Sequence, residues 1–104
     1  MSVLLEFSMF PTDKGESVSK YVSRILEMID TSGVEYQLTP MGTVIECEKI
    51  DDALDIIKRS YECLEKDCSR VYSSLKFDIR KDKKKRLTTK IDSIEKTLGK
   101  KIKH

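Results

Sequence analysis

An α+β sandwich of βαββαβ order, four antiparallel strands with two helices on one face plus a C-terminal helix, is the fold class this sequence predicts. Three observations carry the prediction. Apolar residues alternate in Val3 to Phe10 and in Val71 to Ile79, the period of a strand. They recur at helical spacing from Val18 to Ile29 and from Ile50 to Leu64. Between the helical runs lie two short strand-like runs, Val34 to Leu38 and Thr43 to Glu48.

Taken in order, the first strand stops at Phe10-Pro11-Thr12-Asp13-Lys14-Gly15, a loop in which Pro11 lacks a ladder donor and Gly15 frees the backbone. Ser17 is the expected N-cap of the first helix, whose stripe is Val18, Tyr21, Val22, Ile25, Leu26 and Ile29, with Gly33 as the C-cap. Thr39-Pro40-Met41-Gly42 joins the second and third strands. Asp51 or Asp52 opens the second helix, where negative charge suits the dipole, and its expected stripe is Ala53, Leu54, Ile57, Tyr61 and Leu64. Behind the last strand, Leu87, Ile91, Ile94, Leu98 and Ile102 form the stripe of a third amphipathic helix. The pattern is ferredoxin-like, and a single domain over residues 1–104, with 80–104 as basic loop and closing helix, is expected from the length.

Composition narrows the function classes. At 38% hydrophobic and 37% charged residues, the chain has the make-up of a soluble protein with a charged exterior. No run approaches a membrane span and Met1 to Phe10 lacks a secretory pattern, so the expected location is cytoplasmic, with no membrane partner. Three cysteines, an odd number, argue against a disulfide framework. Charge is lopsided: residues 1–79 hold 9 basic and 15 acidic side chains, residues 80–104 hold 11 and 3. The block Arg80-Lys81-Asp82-Lys83-Lys84-Lys85-Arg86 suits nucleic acid or an acidic protein surface. It lacks aromatics for base stacking, so a solvated segment attracted to the acidic body is the preferred reading and nucleic acid is an unlikely partner.

Alternation assigns the two faces of the sheet. Leu5, Phe7, Met9, Val34, Tyr36, Leu38, Ile45, Cys47, Val71, Leu75, Phe77 and Ile79 belong under the two main helices. The opposite face, expected to have no helix over it, is mixed. With strands ordered 4-1-3-2, as in split βαβ folds, it brings Lys76, Glu6 and Glu46 onto adjacent strands. Ser8, Ser74 and Thr39 flank them, with Leu4, Phe10 and Tyr72 at the border. Cross-strand pairing on a wet face and a ligand or subunit contact account equally for such a surface.

Catalytic chemistry is sparse. The one histidine is His104, the last residue; Cys47, Cys63 and Cys68 have no Cys-x-x-Cys spacing; no Gly-rich phosphate loop is present. No nucleophile–base pair can be identified, so an enzyme is not expected, nor a metal. Fold alone licenses no function.

The motifs themselves carry a resemblance. Leu4-Leu5-Glu6-Phe7-Ser8-Met9-Phe10-Pro11, then Ser17 to Val22, Tyr36 to Glu48 centred on Met41-Gly42-Thr43-Val44-Ile45-Glu46, Arg70-Val71-Tyr72-Ser73-Ser74-Leu75-Lys76-Phe77-Asp78-Ile79-Arg80 and Lys90-Ile91-Asp92-Ser93-Ile94 occur in order and with compatible spacing. Together they resemble the thiamine-binding protein family, small ferredoxin-like domains. The resemblance implies dimers and tetramers with open sheet faces packed together. It also implies thiamine, or its pyrimidine portion, as ligand in some members, with no cofactor beyond such a ligand. The chain departs from the family pattern in its longer, more basic tail and in having no tryptophan.

The sequence therefore predicts a non-enzymatic homo-oligomer that binds thiamine or its hydroxymethylpyrimidine portion. Glu6 and Glu46 are the expected acceptors for a cation or ring amine. Ser8, Thr39, Thr43 and Ser74 are the expected hydroxyl partners, and Lys76 orients the carboxylates. Alternation points Thr43 to the core side, so its place rests on the family turn motif. The alternative is a structural or regulatory oligomer or adaptor whose polar sheet face is a protein interface.

Overall fold

Seven elements follow one another along residues 1–104 of the computed structural model: β1 (Ser2–Pro11), α1 (Ser19–Ser32), β2 (Glu35–Thr39), β3 (Gly42–Cys47), α2 (Ile50–Glu62), β4 (Val71–Arg80) and α3 (Arg86–Leu98). The strands form one antiparallel sheet in the order β2-β3-β1-β4, the expected split βαβ order. Register pairs Leu5 with Ile45 and Phe77, and Phe7 with Thr43 and Leu75, so these side chains share the face that carries the helices.

The core sits between that face and α1 and α2. Val3, Leu5, Phe7, Met9, Ile45 and Cys47 of the sheet meet Ile25 and Ile29 of α1, Ala53 and Ile56 of α2, and Leu64 and Cys68 beyond it. Gly33 ends α1 at φ 81°, a left-handed position that suits glycine. Ser17 is not the cap: Val18 occupies that place, and its carbonyl accepts from the Tyr21 and Val22 amides with no side-chain cap. Asp51 and Asp52 lie in the first turn of α2, as the dipole favours.

Three expectations change. The buried stripe of α2 is Ala53, Ile56, Ser60 and then Leu64, while Leu54 and Tyr61 are exposed. Ser60 is tolerated inside because its hydroxyl donates to the Ile56 carbonyl at 2.7 Å. The apolar row of β4 does not lie under the helices, since Leu75, Phe77 and Ile79 remain 37%, 38% and 42% accessible. Tyr36 and Leu38 on the opposite edge strand are likewise exposed. Two helices span the central strands β1 and β3 and leave the inner faces of both edges uncovered. The other face of the sheet, in turn, is partly roofed. Leu87 and Ile91 of α3 line a groove with Glu35 and Gln37 of β2, while Ile94 and Leu98 stay exposed.

Candidate ligand-binding site

The open face organises around a lock on α3. Glu46, opposite Leu4 on β1, accepts hydrogen bonds from the Arg86 amide at 2.8 Å, the Leu87 amide at 3.1 Å and the Ser2 hydroxyl. These are the amide groups that the first turn of a helix leaves without partners, so a sheet carboxylate caps α3 in place of its own N-cap. Burial raises the Glu46 pKa, but the bonds from Ser2, Arg86 and Leu87 outweigh it and hold the carboxyl below its ordinary value. Arg86 ties the same corner: Nε donates to Ser2 Oγ at 2.9 Å, and its terminal nitrogens to the Ser2 carbonyl at 3.0 Å and to Asp78 Oδ2 at 2.8 Å.

Glu6 and Lys76 are register partners and form an exposed ion pair at 3.6 Å. Ser8 faces Ser74 across the same ladder, and Phe10 meets Tyr72 with ring centroids 5.9 Å apart. Glu6, Ser74 and Lys76 thus share one neighbourhood on β1 and β4, and Glu46 lies apart beneath the start of α3.

Ser8, Thr39 and Thr43 come together elsewhere, around a cavity of about 370 Å³ between α1, the β2–β3 turn and the end of β1. Its walls include Phe7, Phe10, Val22, Ile25, Leu26 and Met41, and no charged side chain lines it. Thr39 is spent on the turn: its hydroxyl donates to the Gly42 carbonyl at 2.9 Å and accepts from the Met41 and Gly42 amides. Gly42 is required here, because a Cβ would sit 2.8 Å from the Phe7 carbonyl oxygen. Thr43 is only 4% accessible, yet its hydroxyl makes no hydrogen bond in the chain and is not sealed away from the cavity. A hydroxyl that opens onto the cavity with free donor and acceptor capacity beside apolar walls is equipped to orient a small, flat, polar-edged molecule.

Val18 at the cap of α1, Val22 and Leu26 on the helix and Met41 in the turn carry no site role in the sequence pattern. Alternation labels them core or loop, and only the mismatch in strand length reveals them. β1 runs to Pro11, whereas its pairing with β3 ends at Phe7–Thr43, leaving a gap beside the last residues of β1.

Away from this site, no grouping of His, Cys, Asp and Glu could hold a metal ion. Burial pushes the Cys47 thiol up to about 11. Arg24 grips Asp67 through two 2.8 Å bonds and holds its carboxyl down at about 2. Asp13 accepts from the Ser69 amide and hydroxyl, pinning the segment before β4.

Comparison with known proteins gives a consistent set of relatives. The family model described as thiamine-binding protein matches residues 5–95. UPF0045 protein MJ1052 of Methanocaldococcus jannaschii is 38% identical over 92 residues, covering 88% of this chain and 91% of that protein. UPF0045 protein YqgV of Bacillus subtilis is 41% identical over 87 residues, covering 79% and 83%. The crystal structure of MJ1052 superposes with a TM-score of 0.79, covering 89% of this chain and 95% of that one. A domain of unknown function, DUF77, from Bacillus cereus superposes with a TM-score of 0.74 at 28% identity, covering 88% of each chain.

Proposed function

The chain belongs to the thiamine-binding protein family, and on that premise we propose that it is a non-enzymatic, cytoplasmic, self-associating protein that binds thiamine or its hydroxymethylpyrimidine portion. The observation that carries this reading is the cavity of about 370 Å³ with apolar walls and the unpartnered Thr43 hydroxyl. Its volume lies in the range of ordinary small-molecule sites, about 300–1,000 Å³. An aminopyrimidine offers flat faces to Phe7, Phe10 and Met41 and a polar edge to Thr43 and Ser8. Because no charged side chain lines the cavity, the permanent charge of the thiazolium stays at its mouth, where water solvates it. Glu6, Ser74 and Lys76 form the polar surround on the open face, and Glu46 contributes through the placement of α3.

Calorimetry on ligand-stripped protein tests the reading. Thiamine and hydroxymethylpyrimidine should both release heat and raise the melting temperature by mass action. Thr43→Val should weaken both at nearly unchanged stability. No heat at millimolar concentration would reject it.

A second reading, a structural or regulatory homo-oligomer, is favoured by a separate observation. The exposed row Leu75, Phe77 and Ile79 lies on an edge strand, and Leu54, Tyr61, Ile94 and Leu98 add further exposed apolar surface. On either reading the chain forms symmetric dimers or tetramers, and a monomer mass by light scattering across micromolar concentrations would refute self-association.

A further inference from the structure

We infer that the main-chain N–H and C=O of Met9 form the docking edge of the cavity, and that they take a planar heteroaromatic presenting an amine beside a ring nitrogen. The inference rests on the small-molecule reading above and specifies how that site recognises its ligand.

Strand geometry supplies the argument. Along an antiparallel strand, the N–H and C=O of one residue point to one side and those of the next residue to the other. The Phe7 carbonyl is directed at β3, as its closeness to Gly42 requires. Residue Thr12, an odd number of positions away, points to the other side, where its amide donates to the Arg70 carbonyl at 2.9 Å. Met9, two residues after Phe7, therefore directs its N–H and C=O to the β3 side. No partner strand is there: the β1–β3 ladder ends at Phe7–Thr43, and the chain has already turned through Pro40 and Met41. None of the turn, loop and cap hydrogen bonds involves Met9. Pro11, the next residue with this orientation, has no N–H to leave unmet.

Met9 lines the same cavity as Thr43, while its side chain is buried in the core. One donor and one acceptor on a single residue match a heteroaromatic edge in which a ring nitrogen accepts and the adjacent exocyclic amine donates. Such a ligand completes the ladder as one further strand residue would, and Thr43 adds a third contact. A donor and an acceptor left without a strand partner at a cavity wall favour a ligand that supplies both over one that supplies neither.

The test uses the full chain with ¹⁵N labelling, calorimetry and three probes: hydroxymethylpyrimidine, its analogue without the amine, and its pyridine analogue without the adjacent ring nitrogen. The expected result is a large downfield shift and at least about tenfold slower exchange of the Met9 amide with the first probe. Each analogue should bind at least about tenfold more weakly. Binding of hydroxymethylpyrimidine with an unmoved Met9 amide, or equal affinity for all three probes, overturns the inference while leaving the small-molecule reading intact. Absence of heat with hydroxymethylpyrimidine and thiamine alike overturns both.

Discussion

Replacing Glu46 by glutamine should act on the protein's stability before it acts on any ligand. The carboxylate holds the Arg86 and Leu87 amides at 2.8 and 3.1 Å and accepts from the Ser2 hydroxyl. Glutamine keeps one acceptor oxygen, so at least one of these bonds is lost and its NH₂ group is set against an amide donor. Hydrogen bonds to a charged group contribute about 1.5–3 kcal/mol, and loss of a helix cap costs about 0.5–2 kcal/mol. Because the corner is only half-buried, the lower part of both ranges applies, and the expected cost is about 1–2 kcal/mol. For a chain of 104 residues that lowers the melting temperature by about 5–10 °C. The sign with pH follows from the carboxyl's depressed pKa. Its contribution is present above the unfolded carboxylate pKa, about 4.3, and is lost as pH falls through the lower folded value. The gap between wild type and Glu46→Gln should therefore narrow in acid. Urea titration measures the cost, and hydrogen exchange at Arg86 and Leu87 reports the cap directly. Unchanged stability and unchanged exchange, with ligand affinity alone reduced, would show Glu46 to be a ligand acceptor and not the lock of α3.

Gly42→Ala should destabilise the chain by about 1–3 kcal/mol, because the added Cβ meets the Phe7 carbonyl oxygen at 2.8 Å; equal urea midpoints would refute the close approach. Cys47, buried with its thiol pushed up to about 11, should resist alkylation at pH 8 in the native state and react at once in denaturant, as mass spectrometry can follow. The basic run Arg80 to Arg86 should show no meaningful nucleic-acid binding near 150 mM salt, since its charge faces an acidic body; micromolar association by fluorescence anisotropy would reverse that expectation.

Much of the fold was legible because alternation and helical spacing are local signals. The strands and the two main helices follow from where each period starts and stops, the strand order from the usual split βαβ arrangement, and Gly33 marks its helix end as expected. What stayed hidden depends on breadth and length. Alternation says that Leu75, Phe77 and Ile79 share a face with Leu5 and Phe7, but not that two helices are too narrow to cover four strands. The α2 stripe was misplaced because Ser60, a polar residue, lies inside, while Leu54 and Tyr61 look out. At the site, placing Glu6 beside Lys76 needed only the strand order. The capping of α3 by Glu46 links residues 40 apart in sequence, which no local pattern reports.

The distribution of unspent hydrogen-bonding capacity decides between the two places where a ligand can sit. On the open face, Glu6 is paired with Lys76, Glu46 with Ser2 and the start of α3, and Asp78 with Arg86. A cation seeking the Glu46 carboxylate must first displace two backbone amides, so its binding would carry the cost of freeing the end of α3. In the cavity the balance is reversed. The Thr43 hydroxyl makes no hydrogen bond in the chain, the Met9 main chain faces the side where the β1–β3 ladder has ended, and the surrounding walls are apolar. A ligand entering there displaces no protein hydrogen bond and buries its flat faces in the same step. Buried polar groups without partners are rare in folded proteins because they are costly. The Thr43 hydroxyl and the Met9 edge escape that cost by opening onto the cavity where β3 stops short of β1, and a ligand seated there takes the place of solvent.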